Sequence, residues 1–375
     1  MKKTLLLLLI TLNLIFALIV CSPIGYLICV MFYLIYISIV NQNVDYKYLI
    51  YQFKNTKTIF YLLGLAFIFF VFSLFNLKSN LEYAFNNEGE LTINTDQGYR
   101  KLSYNKLSIE KVYSNESVKI NSLKIKRENE CLLHSFENLI NPNSLLIFEF
   151  NKKNNYTITG DTNKNLNSIN ANDALNLSNS NFCLNTNFFS TGAEGEVIIN
   201  YKRYVKKNDK SLSGFLKVID DHPLVGDKSL FKNRKGFVKY SCQALPAVLK
   251  NGEIFKNILH ETPPYKNFIK LKTYRNLIGT LKNGNIVCIL SNNGGLVSIR
   301  EIAEIAKVYG VYNASLFDGG SALQYQYQNA NFKISFSALN NSINFGERIN
   351  DFFLKNFKSH FPAKSPVYFS IQHSN

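Results

Sequence analysis

An apolar run, Ala314-Ser315-Leu316-Phe317, stops abruptly at Asp318-Gly319-Gly320-Ser321. A carboxylate at the end of a buried strand, followed by a glycine pair, leaves the chain few local folds. Glycine lets backbone come close and turn where other residues cannot, so the pattern sets an acid beside bare backbone amides. Just upstream lies a helix signature: Ser298 and Glu301 are spaced as a capping box, Ile302, Ile305, Ala306 and Tyr309 form an apolar face, and Gly310 ends it. The spacing predicts a helix over 299–308 and a strand over 312–317, with Asp318 at the strand's carboxyl end.

From Leu145 onward short apolar runs recur between polar turns. Leu145 to Phe150, Phe182 to Leu184, Val197 to Ile199, Gly236 to Tyr240, Leu245 to Leu249, Leu277 to Leu281 and Ile286 to Leu290 read as strands, and Ile169 to Leu177 as a short helix. Asn251-Gly252 and Asn283-Gly284 each separate two such runs, which predicts type I′ hairpin turns. The stretch 78–144 is polar, with alternation at Val118, Ile120, Leu123 and Ile125, and reads as a stalk or small strand-rich segment. The expected class is therefore α+β, a mixed β-sheet domain with flanking helices over 145–375.

Three apolar runs precede it, at 4–20, 24–40 and 59–75, and each has about the 17–25 residues needed to cross a bilayer. Lys2-Lys3 and Lys47, Lys54 and Lys57 fit a cytoplasmic side. The expectation is a membrane region over 1–77 with three transmembrane helices, in a multi-pass protein of the plasma (inner) membrane. Membrane lipid is then a partner, and the C-terminal domain is exported to the extracytoplasmic side. A cleaved signal peptide ending near residue 21 competes with this reading, but Ile19 and Val20 before Cys21 supply no small-x-small site.

The formal net charge of +16 favours anionic partners. The basic residues are scattered among Asn, Tyr and Ile and form no dense stripe, so phosphate-bearing glycans fit better than nucleic acid. Cys131, Cys183, Cys242 and Cys288 are dispersed, and the five histidines make no HExxH or HxH motif. No metal or other cofactor is expected. One disulfide among those four cysteines and buried free thiols both remain open.

Four segments in order carry a resemblance. They are Asn185-Thr186-Asn187-Phe188-Phe189, Arg275-Asn276-Leu277-Ile278-Gly279, the glycine loop Asn292-Asn293-Gly294-Gly295 leading into the capped helix, and Asp318-Gly319-Gly320-Ser321. Glu347 to Leu354 adds a closing arginine-containing strand. Together, over roughly 145–357, they resemble the phosphodiester glycosidase family. The chain departs from the family pattern at Thr186 and Asn187, where glycines are usual, and at Ser321 and Ala322.

The resemblance implies a hydrolase that cleaves a sugar-1-phosphodiester, of the GlcNAc-1-phosphodiester kind, in a glycan or cell-surface polymer. Such a substrate carries a fixed negative charge, for which Arg275 is the candidate cation. Cleavage at the anomeric carbon calls for a carboxyl group, and Asp318 is the first choice with Glu194 as the second. Asn185, Asn187, Asn292, Asn293, Gly294, Gly319, Gly320 and Ser321 are the candidate substrate contacts. Each has a plainer alternative: Arg275 as a sheet-edge residue, Asp318 as a turn cap, Glu194 as a loop charge, Asn185 in an Asx turn. A non-catalytic binder of phosphorylated surface polysaccharide is the competing function.

Overall fold

A computed structural model of the chain describes residues 91–95, 98–101, 107–127, 143–188, 193–205, 212–232, 236–261, 269–292, 294–338 and 364–374. All belong to one of the two compact units of the chain, made of Ala84–Glu130, Asn138–Asn341 and Phe361–Asn375.

Twenty strands, β1 to β20 in chain order, form three sheets among the described residues. The first sheet runs β14 (Glu253–Ile254), β13 (Ala247–Lys250), β17 (Val311–Phe317), β15 (Asn276–Leu281), β16 (Ile286–Ser291), β5 (Ser144–Phe150), β4 (Val118–Arg127), β1 (Leu91–Thr95) and β2 (Gly98–Lys101). β3 (Glu110–Ser114) also pairs with β4. The second sheet orders β11 (His222–Asp227), β10 (Gly214–Ile219), β12 (Val238–Ala244), β8 (Val197–Ile199) and β9 (Lys202–Val205). The third orders β19 (Lys333–Ser337), β18 (Gln324–Gln328), β7 (Phe182–Asn185), β20 (Tyr368–Gln372) and β6 (Asn155–Thr159). The pairings within each sheet are antiparallel.

The first sheet is covered on both faces, which explains why its strands read as unbroken apolar runs where a half-exposed strand would alternate. Successive side chains on a strand point to opposite faces. Leu145 and Ile147 of β5 join Val287 and Ile289 of β16 and Leu277 of β15 in a core closed by Ile299, Ile302, Ile305 and Ala306 of the helix Ile299–Tyr309. The intervening Phe148 and Phe150 turn to the third sheet, where their rings lie 5.0 and 4.9 Å from that of Phe182 in β7. The second sheet meets the first along β17. Leu245 N–H donates to Leu316 O at 3.0 Å, Leu316 N–H to Pro246 O at 2.9 Å, and Ser315 Oγ to Gly226 O at 3.3 Å.

This architecture corrects the α+β expectation of a mixed sheet with flanking helices: the described residues are mostly β. Their α-helices are α1 (Ala171–Ser178), α2 (Lys256–Leu259) and α3 (Ile299–Tyr309). α3 is capped as its sequence predicts, with Glu301 N–H donating to Ser298 Oγ at 3.2 Å and Ser298 N–H to Glu301 Oε2 at 2.7 Å.

The expectation of a multi-pass membrane protein with an exported domain is corrected too. No helix among the described residues is long and apolar enough to cross a membrane. α3 has 11 residues, or about 16 Å at 1.5 Å per residue, against a hydrocarbon core of about 30 Å, and one face of it is polar. The apolar runs at 4–20, 24–40 and 59–75 themselves lie outside the described residues, as does the closing segment Glu347 to Leu354.

The two Asn-Gly turns differ. Asn251 (φ 54°) and Gly252 (φ 82°) both take positive φ, as a type I′ turn requires. At the second turn, Gly284 is left-handed (φ 91°) but Asn283 is not, and Gly284 N–H donates to Leu281 O at 3.0 Å. That is a type I turn closed by a left-handed glycine, the next commonest hairpin solution.

Gly279, inside β15, has no room for a side chain: a Cβ there would lie 2.5 Å from Val311 Cγ1 and 2.7 Å from the Asn313 carbonyl. Gly279→Ala is expected to destabilise the domain by about 1–3 kcal/mol, read as a lower urea midpoint.

Candidate active site

The sheets meet at Asp318. β17 of the first sheet ends at Phe317, β7 of the third ends at Asn185, and β15 begins at Asn276 opposite Phe317. Asp318 follows directly and is fastened by its backbone. Its N–H donates to Thr186 O at 2.8 Å, and its carbonyl accepts from Asn185 Nδ2 at 2.9 Å and from Asn276 Nδ2 at 3.3 Å. Asn276 Nδ2 also donates to Asn185 O at 2.7 Å, while Asn185 Oδ1 accepts the Gln324 N–H at 2.9 Å. Asn185 is thus a buried clamp between strands, with both ends of its amide in use.

The glycine pair follows for steric reasons. A Cβ on Gly319 would lie 2.5 Å from the Tyr274 carbonyl. Gly320 is left-handed (φ 57°), and its N–H donates to the same carbonyl at 2.7 Å. Ser321 sits in the 3₁₀ turn Gly320–Ala322.

The loop after β7 brings Glu194 to this acid. Asn187 is buried and donates through Nδ2 to Glu194 O at 2.8 Å, and Glu194 N–H donates to Phe188 O at 2.7 Å. Glu194 itself is exposed. Burial, and then the Glu194 charge, push the Asp318 carboxyl up to about 7 against a smaller opposing pull from the Gly319 amide.

Arg275 is placed differently from a phosphate ligand. It is buried, its Nε donates to Val297 O at 3.2 Å, and its Nη2 donates to Leu271 O. Its N–H donates to Ser291 Oγ at 2.8 Å. Burial lowers its affinity for the proton to about 9, partly countered by Glu301. An isolated buried charge costs several kcal/mol, roughly, so these carbonyls are what make the site tolerable. The guanidinium ties the start of β15 to the residues just before α3.

The other glycine loop is also packed against the scaffold. Asn292 donates from Nδ2 to Ser144 Oγ at 3.2 Å and accepts from Tyr325 Oη at 3.3 Å. Gly294 and Gly295 press against Asn143 and Ser144 too tightly to carry a Cβ. Asn293 lies outside the described residues. The structure therefore brings together Asp318, Glu194, Asn185, Asn187, Gly319 and Gly320, with Arg275 behind them. Asn292 and Gly294 belong to the packing at the start of β5.

Sequence reasoning missed Asn276, Thr186 and Gln324 as contributors to the site, and the buried Glu196 two residues beyond Glu194. The available signal was a polar side chain at the first position of an apolar strand, which Asn276 shows; Gln324 heads the alternating strand Gln324-Tyr325-Gln326-Tyr327-Gln328 and does not. Asn276 Oδ1 is buried without a hydrogen-bond partner among the described residues. Such an orphan acceptor costs about 1–3 kcal/mol. Turning the amide over would set oxygen against two carbonyls, so the orphan is the consequence of placing Nδ2 between them. Glu196, also buried, accepts from Lys217 Nζ at 2.8 Å, Ser241 Oγ at 2.8 Å and Arg203 Nη2 at 3.2 Å. Burial alone would raise its carboxyl; Lys217 first, then Ser241 and Arg203, outweigh that and lower it.

Among the described residues no three His, Cys, Asp or Glu side chains gather to hold a metal ion. Cys183, Cys242 and Cys288 are buried free thiols, and Cys131 lies outside the described residues. Burial pushes the Cys242 thiol up to about 12, away from the reactive thiolate.

Two stability measurements test these environments. The Asp318 carboxyl is raised in the folded state, so between its unfolded value, about 3.9, and about 7 the native protein holds the extra proton. Stability must fall as pH rises through that window. Asp318→Asn is expected to be more stable than wild type at pH 8 and indistinguishable near pH 4 in urea unfolding. Glu196 has the opposite sign, because its carboxyl is lowered: its contribution is present above about 4.3 and is lost as pH falls through the folded value. Glu196→Gln should cost about 3 kcal/mol at pH 7, and the difference should shrink on acidification.

Comparison with known proteins shows what the chain is similar to. No curated protein sequence matches the chain. The zebrafish N-acetylglucosamine-1-phosphodiester alpha-N-acetylglucosaminidase catalytic domain, auto-inhibited by its pro-peptide, is 14% identical with a TM-score of 0.49, covering 76% of this chain and 89% of that one. A hypothetical protein from Synechocystis is 10% identical with a TM-score of 0.46, covering 76% and 68%. The family model described as Phosphodiester glycosidase matches residues 178–351, a span that holds Asn185, Glu194, Arg275 and Asp318. Across residues 178–351 the chain is similar to the phosphodiester glycosidase family.

Proposed function

We propose that this domain hydrolyses a sugar-1-phosphodiester, of the GlcNAc-1-phosphodiester kind, in a phosphorylated glycan. The observation that carries the reading is the Asp318 carboxyl, held at a strand end by its backbone and pushed up to about 7 by burial and by Glu194. A general acid works best with a pKa near the operating pH. A carboxyl group with raised proton affinity and a second carboxyl group near it are the equipment for glycosidic cleavage.

In the proposed reaction, a water oxygen bonds to the anomeric carbon while the bond from that carbon to the phosphate oxygen breaks. Protonated Asp318 gives its proton to the departing phosphate oxygen, and Glu194 takes one from the water. The products are the free sugar and a phosphomonoester, and solvent returns the proton from Glu194 to Asp318. The turn Gly319-Gly320-Ser321 beside the acid is the proposed seat of the substrate. Arg275 serves this site through the scaffold, since its guanidinium is committed to the Leu271 and Val297 carbonyls.

A second reading, a non-catalytic binder of phosphorylated surface polysaccharide, is favoured by one observation. Asn185, Asn187 and Arg275 all spend their side chains on internal bonds, which leaves fewer groups for a transition state. The full-length protein incubated with UDP-GlcNAc and with GlcNAc-1-phospho-methyl-mannoside separates the two. Hydrolysis predicts released GlcNAc, a rate that declines above about pH 7 as Asp318 loses its proton, and at least about a hundredfold loss in Asp318→Asn. Full activity in Asp318→Asn removes Asp318 from the mechanism. Binding of both compounds without release establishes the binder.

A further inference from the structure

We infer that Asn276 is a positioning residue for Asp318, its single amide nitrogen gripping the Asp318 and Asn185 carbonyls so that the carboxyl is held at one depth in the protein. The inference rests on the proposed hydrolytic role of Asp318, but its geometry is independent of any substrate.

Three features support it. First, Asn276 Nδ2 reaches two acceptors, Asn185 O at 2.7 Å and Asp318 O at 3.3 Å, one at the end of β7 and the other just past the end of β17, strands of two different sheets. Second, the buried Oδ1 of the same amide is left without a partner among the described residues. A hydrophobic residue would fill the space without that cost, so the two donor bonds are what the asparagine contributes. Third, the remaining backbone groups around the acid are already fixed, by Thr186 O on the Asp318 N–H and by Tyr274 O on the Gly320 N–H. Removing Asn276 leaves the Asp318 carbonyl with Asn185 Nδ2 at 2.9 Å, but takes away the amide that ties it to the Asn185 carbonyl, which loosens one side of the frame.

The consequence concerns solvent. Burial is the largest influence on the Asp318 carboxyl, ahead of Glu194. Glu194, from the loop after β7, is the charged group that acts on it from a neighbouring element. Arg275, next to Asn276 in sequence, directs its guanidinium to the Val297 and Leu271 carbonyls; burial lowers its proton affinity and Glu301 partly counters that. If the clamp sets the burial, freeing it lets water reach the carboxylate and brings its titration down.

The test uses full-length protein labelled with [γ-¹³C]aspartate. The Asp318 signal is identified by its loss in Asp318→Asn and titrated in wild type and in Asn276→Ala. The expected result is a midpoint lower by about one unit or more in Asn276→Ala, with a folded spectrum otherwise retained. On a GlcNAc-1-phosphodiester the same variant should lose activity in kcat, about tenfold or more, with KM little changed. Should Asn276→Ala fail to fold, Asn276→Thr, whose branched side chain suits a strand and keeps one hydroxyl donor, is titrated in its place. A folded variant in which Asp318 titrates as in wild type overturns the inference. Failure of both variants to fold overturns it as well, in favour of a purely structural asparagine. A lowered titration in a protein whose wild type releases no sugar overturns the hydrolase reading and leaves the clamp standing.

Discussion

The two-sided burial of the first sheet is the constraint on which the rest of this molecule depends. With α3 on one face and the second and third sheets on the other, β5, β15, β16 and β17 are buried on both sides, and their backbone groups must find partners within the ladder. Strand ends are where that ladder stops. There the chain has to satisfy its last carbonyls with side chains, and Asn185 and Asn276 do so. The acid is set into the same ending, so the polar residues around it serve the fold first.

This accounts for how the candidate residues divide. Asparagine and arginine at strand ends look alike in a sequence whether they reach for a substrate or for a neighbouring carbonyl. In the folded domain the amide of Asn185 is consumed by Asp318 O and the Gln324 N–H, and the guanidinium of Arg275 by Leu271 O and Val297 O. What remains open to chemistry is the carboxyl of Asp318 and the exposed Glu194. Burial first, and then the Glu194 charge, raises the Asp318 carboxyl.

Much of the fold was legible. β5, β16, β17 and α3 were each marked by local signals: continuous apolar runs, a capping box and a closing glycine. The class was misjudged because a helix with a clear signature weighs heavily in a reading, whereas β-strands outside the apolar runs leave weak traces. β9, with its exposed Lys202 and Arg203, and β11, with Pro223 inside it, carry no alternation to find. The Asn283-Gly284 turn shows a related limit. Asn-Gly favours a type I′ turn, but the pairing of the flanking strands determined that only the glycine would be left-handed.

By itself the sequence determined the chemistry available to the domain and its local geometry: an acid at a strand end, glycines where backbone must approach backbone, and a capped amphipathic helix beside them. These are short-range consequences of residue type, and neighbours in the chain suffice to specify them. Only the tertiary structure decided which polar side chains are spent and which are free. That outcome depends on contacts across tens of residues, such as Asn185 with Asp318 and Asn276 with both. It also decided the proton affinity of Asp318, because burial and the approach of Glu194 exist only once the three sheets have closed around the strand ends.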